Sequence, residues 1–183
     1  GASPELLVGV KDGVIETVPI AGTCKKGDDI NLLLADPKET AEHIMLVDLA
    51  RNDVGVVAKA GTVTVTKFKN VKSYSHVSHI VSHVVGQLDP QYNQFDVVKS
   101  VLPAGTLSGA PKIRAMQIID ELEMTRRGLY GGAVLMVDEA GSLTAAIATR
   151  TMFIQNQQNE LRVAAGMVYA SVPEKEVEET HLK

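Results

Sequence analysis

The amino-acid sequence predicts an α+β fold in which mostly antiparallel sheets carry helices on the outside. Two hairpin patterns support this class, one over Leu6–Ile20 and one over residues 130–154, each with a glycine-containing turn between apolar runs. Helical patterns with capping residues begin near residues 37, 111 and 173. Antiparallel strands mixed with a few helices predict an α+β architecture, which we assign to a single domain, residues 1–183.

The first hairpin is followed by a loop and a helix. Lys11-Asp12-Gly13 supplies the hairpin turn, and the polar segment Thr23–Asn31 indicates a flexible loop. Asp36 then provides an N-cap, Pro37 a first helical residue and Glu39 an acidic first turn. We therefore predict a helix over residues 37–50.

Two strands are predicted next. Thr and Val alternate over Gly61–Phe68, a pattern typical of a half-buried strand. Residues 73–85 contain His76, His79 and His83 at a helical spacing, but most of the apolar residues between them are β-branched. We predict a strand there as well.

The C-terminal half predicts three helices and three strands. The helices are Tyr92–Leu102, an amphipathic helix opened by Pro111 and extending to Leu122, and a final helix from Pro173 to the end of the chain. The strands are Tyr130–Val137, Leu143–Ile154 and Leu161–Tyr169.

Composition and charge exclude several classes of protein. The chain has 18 Lys and Arg against 22 Asp and Glu, and seven aromatic residues, which disfavours nucleic-acid binding. The longest segment without a charged residue, Ser73–Leu88, contains three histidines and four serines and does not suit a membrane span. The lone Cys24 is compatible with a reducing compartment, so we expect a cytoplasmic protein. The start at Gly1, without Met, indicates a cut end.

Two predicted helices carry carboxylates that share one face. Glu39 and Glu42 are separated by three residues on the first, as are Glu176 and Glu179 on the last, which Lys183 follows. If these helices face each other, the carboxylates converge into an oxygen-only cluster that suits Mg²⁺. Acidic residues in a first helical turn also favour the helix dipole, and this alternative explanation remains open.

Other polar groups give weaker indications. On a strand only His79 and His83 share a face, which is too few ligands for a zinc site. The loop around Gly105 lacks the P-loop pattern, although its backbone N–H groups could bind a carboxylate. Arg150 follows a small apolar strand, where it could bind a carboxylate through its guanidinium or form an ion pair at the strand end.

Short motifs spread along the chain resemble those of the chorismate-utilising enzymes, and among them the large subunits of anthranilate synthases. The motifs are PIAGT (19–23), LADPKE (34–39) with AEH (41–43), VDLARND (47–53), YSH (74–76), PAGTLSGAPK (103–112) and YGGA (130–133). They follow one another over essentially the whole chain. The resemblance therefore implies the chorismate-utilising enzyme fold, here the C-terminal portion of its catalytic domain and incomplete at the N-terminal side.

The resemblance also implies a set of site residues. It implies that Mg²⁺ is held between two glutamate pairs, Glu39 with Glu42 and Glu176 with Glu179. It assigns His79 to the elimination of pyruvate and Glu5 to protonation of the leaving hydroxyl. The positions it assigns to substrate binding are Thr106, Tyr130, Arg150, Lys183 and the backbone N–H groups around Ala165 and Gly166.

The activity implied by the resemblance is the Mg²⁺-dependent conversion of chorismate and ammonia to anthranilate and pyruvate, in tryptophan biosynthesis. A glutamine amidotransferase subunit would supply the ammonia, in a homo- or hetero-oligomer. Ala21 disfavours 4-amino-4-deoxychorismate synthesis, because relatives with that activity often carry a nucleophilic Lys in the PIAGT position.

A non-catalytic or incomplete chorismate-binding domain is the other alternative. The early strands of the catalytic domain and the regulatory region that binds tryptophan in relatives are missing, and the segment between Thr23 and Asp36 is shorter than usual. Leu135 and Ala164 stand where the family usually has Gly, and both substitutions are expected to tighten the pocket.

Overall fold

The fold is organised around a seven-stranded sheet in which every pairing is antiparallel. The computed structural model describes residues 1–182, without the side chains of Glu179 and Leu182. The strands of the sheet are β1 Glu5–Lys11, β2 Val14–Thr17, β3 Ile20–Lys25, β4 Thr64–Ser73, β5 Val77–Gln87, β6 Ala133–Val137 and β7 Leu143–Ile147. A separate hairpin consists of β8 Met152–Gln155 and β9 Gln158–Leu161.

Strand β5 lies between two groups of partners. It pairs with β4 along one edge and with both β2 and β3 along the other, and the sheet then continues through β1 and β7 to β6. The predicted hairpin turn is present between β1 and β2, where Asp12 and Gly13 have φ angles of 51° and 74°. A two-residue turn with both φ angles positive matches the twist of the flanking strands, which explains the Asp-Gly pair.

Five helices accompany the sheet. They are α1 Ile30–Ala35, α2 Pro37–Gly55, α3 Gln94–Val101, α4 Lys112–Leu122 and α5 Pro173–Leu182. Helix α2 packs across β3 and β5, and α3 packs against α2 and β1. These contacts bury a core that includes Val8, Ile15, Val54, Val84, Val97 and Leu143. The expectation of an antiparallel α+β fold with helices packed on a sheet is confirmed.

Helix α2 begins where its capping residues predict. The Asp36 carboxylate accepts hydrogen bonds from the N–H groups of Lys38 (2.8 Å) and Glu39 (3.2 Å). The helix continues to Gly55 rather than ending at Ala50, because the fully buried Val54 extends its packing face.

Three sequence predictions are corrected by the structure. The expected loop Thr23–Asn31 contains the end of β3 and the start of α1, which the sequence analysis missed. The expected strand 143–154 is interrupted at Arg150, where φ is 48°. The expected strand 161–169 is wrong beyond Leu161, because Leu161 pairs with Met152, the first residue of β8, and the partner strand ends there.

The amphipathic helix α4 is present, but its apolar face is not buried among residues 1–182. Ile113, Met116 and Leu122 are exposed. Val134 and Met136 of strand β6, which follows α4 in the sequence, are exposed as well. No helix within residues 1–182 is both long enough and apolar enough to cross a membrane.

A partly buried ion pair connects helix α4 to helix α2. Lys112 Nζ lies 2.8 Å from both carboxylate oxygens of Asp53, and 3.5 Å from the Val101 carbonyl oxygen. Both side chains are mostly shielded from solvent. Burial raises the pKa of Asp53 above its ordinary value, and Lys112 opposes that increase.

We expect Lys112→Met to destabilise the chain by about 3 kcal/mol at neutral pH, because it leaves a buried carboxylate without its cation. Removing Lys112 raises the pKa of Asp53 further, so the carboxyl takes up a proton on mild acidification and the deficit should shrink as pH falls. Chemical denaturation at neutral and mildly acidic pH measures both effects. Lys99→Met is the matched control, since Lys99 forms an exposed pair with Asp96 and should cost at most about 1 kcal/mol. A Lys112→Met deficit that does not depend on pH would contradict this account.

Candidate active site

A β-bulge next to helix α2 shapes the centre of the site. The register of β3 and β5 shifts between Ala21 and Thr23, which leaves Gly22 out of the pairing with φ of 80°. A Cβ atom at Gly22 would lie 3.1 Å from Ile80 Cδ1 and 3.3 Å from a carboxylate oxygen of Glu39. Glycine is therefore required here both for the backbone angle and for the close approach of Glu39.

His79 lies directly beside this bulge. Its Nδ1 is 2.8 Å from Thr23 Oγ1, and the Tyr74 ring contacts it edge-on with centroids 5.7 Å apart. Burial lowers the pKa of His79 below its ordinary value; Arg150 lowers it too, whereas the Gly22 carbonyl and Glu5 raise it. His79 is thus half-buried and fixed in orientation, and its neutral form is favoured.

Glu5 and Arg150 form an ion pair near His79. Arg150 Nη2 lies 3.1 Å from a Glu5 carboxylate oxygen, and Arg150 Nε donates a hydrogen bond of 3.2 Å to the Ser3 carbonyl. Both residues influence the pKa of His79, so the three side chains belong to one electrostatic neighbourhood. The arrangement supplies a carboxyl group, an imidazole and a guanidinium, which are suited to proton transfer and to binding a carboxylate.

Thr106 shares a small cavity with Glu5. A 3₁₀ turn, Gly105–Leu107, carries Thr106, and the cavity of about 50 Å³ is lined also by Asp53, Leu49 and Ile147. This volume is well below the ~300 Å³ of a typical ligand pocket. The cavity beside Thr106 is therefore too small to enclose a ligand of that size by itself.

Tyr130 is buried at the end of strand β7. The loop that carries it is held by two backbone hydrogen bonds of 2.9 Å, from Gly131 N–H to the Ala148 carbonyl and from Ala148 N–H to the Gly132 carbonyl. Burial raises the pKa of Tyr130, and the charges that act on it include Arg150. Tyr130 thus extends the neighbourhood of Glu5, His79 and Arg150.

The predicted carboxylate residues lie where α2 and α5 meet. Lys38 Nζ is 2.7 Å from Glu176 Oε1, and Glu176 is buried. Glu42 approaches the backbone of Gly166, where an added Cβ would lie 2.8 Å from Glu42 Oε1. The two helices are therefore joined at the end that carries Glu39 and Glu42.

Some of the predicted site residues lie outside the described residues, and others lie outside regular secondary structure. Lys183 and the Glu179 side chain lie outside the described residues. Ala165 and Gly166 lie in an irregular segment rather than the predicted strand, Ala165 half-buried and Gly166 exposed. Among the residues that are described, no three His, Cys, Asp or Glu side chains group closely enough to hold a metal ion.

Sequence reasoning missed three polar contacts around the site. These are the Asp53–Lys112 pair, the contact of His43 with Ser82, and the interactions of Arg127. Asp53, His43 and Lys112 stand inside the quoted motifs, so the signal was present, but the motifs do not say which residues pair.

We expect two substitutions to move the pKa of His79 in opposite directions. Glu5→Gln removes a negative charge and should lower the His79 pKa, whereas Arg150→Gln removes a positive charge and should raise it. Titration of the histidine ring signals by NMR measures both shifts. A shift of the same sign in both variants would contradict the proposed neighbourhood.

A family model described as "chorismate binding enzyme" matches residues 1–183. Curated relatives named anthranilate synthase component 1 include one from Aquifex aeolicus, 54% identical over 98% of this chain, and one from Thermococcus kodakarensis, 52% identical over all of it. The chain spans 38% and 44% of those two proteins. The similarity thus extends over nearly the whole length of this chain.

Solved structures give the same result. The crystal structure of anthranilate synthase component I from Streptococcus pneumoniae matches with a TM-score of 0.91 and 48% identity, over 100% of this chain and 42% of the other. The menaquinone-specific isochorismate synthase from Escherichia coli matches with a TM-score of 0.86 at 24% identity, over 100% of this chain and 43% of the other, and shows the fold alone. The fold is thus shared with enzymes that are named for different reactions.

Proposed function

This chain belongs to the chorismate binding enzyme family, and from that membership we propose that it is the C-terminal catalytic part of an anthranilate synthase component I. The proposed reaction converts chorismate and ammonia to anthranilate, pyruvate and water. The observation that carries the proposal is identity of about one half, over nearly the whole chain, to several curated relatives with that name.

The site must bind both carboxylates of chorismate and also activate its ring hydroxyl, which is a poor leaving group. Protonation of the ring hydroxyl by Glu5 would let it leave as water while ammonia adds to the ring. His79 would then assist the loss of pyruvate, and this step makes the ring aromatic. The Glu5–Arg150 ion pair supports this division of roles, because both of its charges act on the pKa of His79, whose neutral form burial favours.

Substrate orientation is assigned to the groups around this centre. Arg150 would bind the pyruvyl carboxylate through its planar guanidinium, exchanging its present partner Glu5 for the ligand. Thr106, Tyr130 and the backbone around Ala165 and Gly166 would complete the contacts, with Lys183 as a further cation. The small size of the cavity beside Thr106 fits one wall of a larger site.

Mg²⁺ is proposed as the cofactor on the chemistry of the donors at the junction of α2 and α5. Glu39, Glu42 and Glu176 carry hard oxygen donors on these two helices, and the glycine at position 166 leaves room beside Glu42; among the described residues these three do not group closely enough to hold an ion by themselves. Glu179 is the fourth proposed ligand. The ion would neutralise the ring carboxylate of the substrate and so favour departure of the hydroxyl group.

Two further features belong to the proposal. A glutamine amidotransferase subunit is proposed as the source of ammonia, and the pathway served is tryptophan biosynthesis. A chorismate-binding part without turnover is the second candidate function, favoured by the small cavity of about 50 Å³ beside Thr106.

The activity test combines a complete version of the enzyme that contains this chain with chorismate, ammonium and Mg²⁺, and follows anthranilate by fluorescence. We expect product formation, and we expect His79→Ala to slow it and let the aminated intermediate accumulate, because pyruvate loss is then unassisted. Binding of chorismate without product would favour the second candidate. Neither binding nor product would refute both.

The metal is tested by thermal unfolding. Because neighbouring carboxylates repel, Mg²⁺ should stabilise the chain, by about 2.7 kcal/mol at a hundredfold excess over its dissociation constant, and more strongly with chorismate. Glu42→Gln should reduce this gain. Glu178→Gln, an exposed glutamate on α5, should not. A thermal unfolding curve that Mg²⁺ does not change, either with or without chorismate, would count against the cluster.

A further inference from the structure

Arg127 lies between two segments that the proposed function assigns to substrate binding. One is the 3₁₀ turn Gly105–Leu107, which carries Thr106; the other is the loop around Tyr130. Arg127 is half-buried, whereas its neighbour Arg126 is exposed. Neither arginine was singled out by the sequence analysis.

Three contacts fix the guanidinium of Arg127. Its Nη1 donates a hydrogen bond to the Leu107 carbonyl at 2.5 Å, and its Nε and Nη2 donate to the Glu123 carboxylate at 2.6–3.1 Å. Its Cζ lies 5.8 Å from the centroid of the Tyr130 ring. A bidentate pair on one side leaves the third nitrogen to bind the carbonyl, a geometry that an ammonium group cannot reproduce.

The two segments also touch each other at this point. A Cβ added at Gly131 would lie 3.6 Å from Leu107 Cδ1 and 3.9 Å from Arg127 Nη1, so the residue after Tyr130 lies next to the residue after Thr106. Glu123, which anchors the guanidinium, caps the end of α4 through its N–H bond to the Ile119 carbonyl at 2.8 Å. The end of α4 is therefore connected to both segments.

We propose that Arg127 is a positioning residue that holds Thr106 and Tyr130 in register as one wall of the substrate site. This inference rests on the proposed function, since it is that function which gives Thr106 and Tyr130 a ligand. Arg127 acts through its contacts with Leu107 and with the Tyr130 ring. A freed turn would let the Thr106 hydroxyl move relative to the phenol without unfolding the sheet.

The test compares Arg127→Gln with Arg126→Gln in the ligand-free chain. Hydrogen exchange of the Leu107 and Ser108 amides, which close the 3₁₀ turn, should accelerate about ten-fold or more in Arg127→Gln. The ring signal of Tyr130, observed by NMR with labelled tyrosine and assigned through Tyr130→Phe, should shift because the cation over the ring is lost. Arg126→Gln should change neither readout.

Two outcomes overturn the proposal: unchanged exchange and ring signals in Arg127→Gln, or the same changes in Arg126→Gln. Arg127→Lys covers the case in which the first variant fails to fold. It keeps the charge, and it should still accelerate exchange because one ammonium cannot serve both Glu123 and Leu107. If both variants unfold, Arg127 serves the stability of the whole fold and the inference is wrong.

Chorismate titration separates this inference from the proposed function. The parent chain should bind chorismate, and Arg127→Gln should weaken binding by about ten-fold or more while Arg126→Gln does not. If the parent does not bind chorismate, the proposed function fails, but the ligand-free exchange and ring signals still decide whether Arg127 fixes the two segments. If the parent binds and Arg127→Gln binds equally well, the inference fails and the proposed function stands.

Discussion

Strand β5 is hydrogen-bonded along both of its edges, and the site depends on that constraint. The break between β2 and β3 on one edge is bridged by the Ser82 N–H, which donates to the Pro19 carbonyl at 3.1 Å. The Ser82 side chain then lies 2.7 Å from Nε2 of His43, a fully buried residue of α2. Burial lowers the pKa of His43 to about 4, so the helix is joined to the sheet through a neutral imidazole. Because α2 carries Glu39 and Glu42, the position of these carboxylates follows from the strand.

The charged groups around the site are already partnered within the chain. Arg150 pairs with Glu5, Lys38 with Glu176, Lys112 with Asp53 and Arg127 with Glu123. Pairing lowers the cost of holding charge where solvent is partly excluded. An anionic ligand at Arg150 would have to replace Glu5, so binding there is an exchange of partners. The pairs at Lys112 and Arg127, in contrast, hold backbone segments together.

The sequence predicted those parts of the fold that local chemistry determines. The Asp-Gly turn, the cap at Asp36 and the strand predicted over residues 73–85 depend on neighbours in sequence, and all three are present, the strand as Val77–Gln87. The strand predicted over residues 161–169 is wrong beyond Leu161, because a strand requires a partner of matching length and its partner ends there. The site shows the same contrast between what local sequence indicates and what distant contacts determine. Motif resemblance indicated Glu5 and His79, but their common electrostatic neighbourhood with Arg150 arises only from the pairing of distant strands.

The backbone at Arg150 shows how the chain trades stability against chemistry. With φ of 48° this residue has a left-handed conformation, which costs a side-chain-bearing residue roughly 1–2 kcal/mol relative to glycine. Glycine would relieve the strain, but it would also remove the guanidinium that pairs with Glu5 and acts on His79. Stability-guided engineering would therefore favour a substitution at this position that removes the group to which the proposed function assigns carboxylate binding. Selection for thermal stability alone should favour glycine at residue 150, whereas selection for the proposed activity should retain arginine.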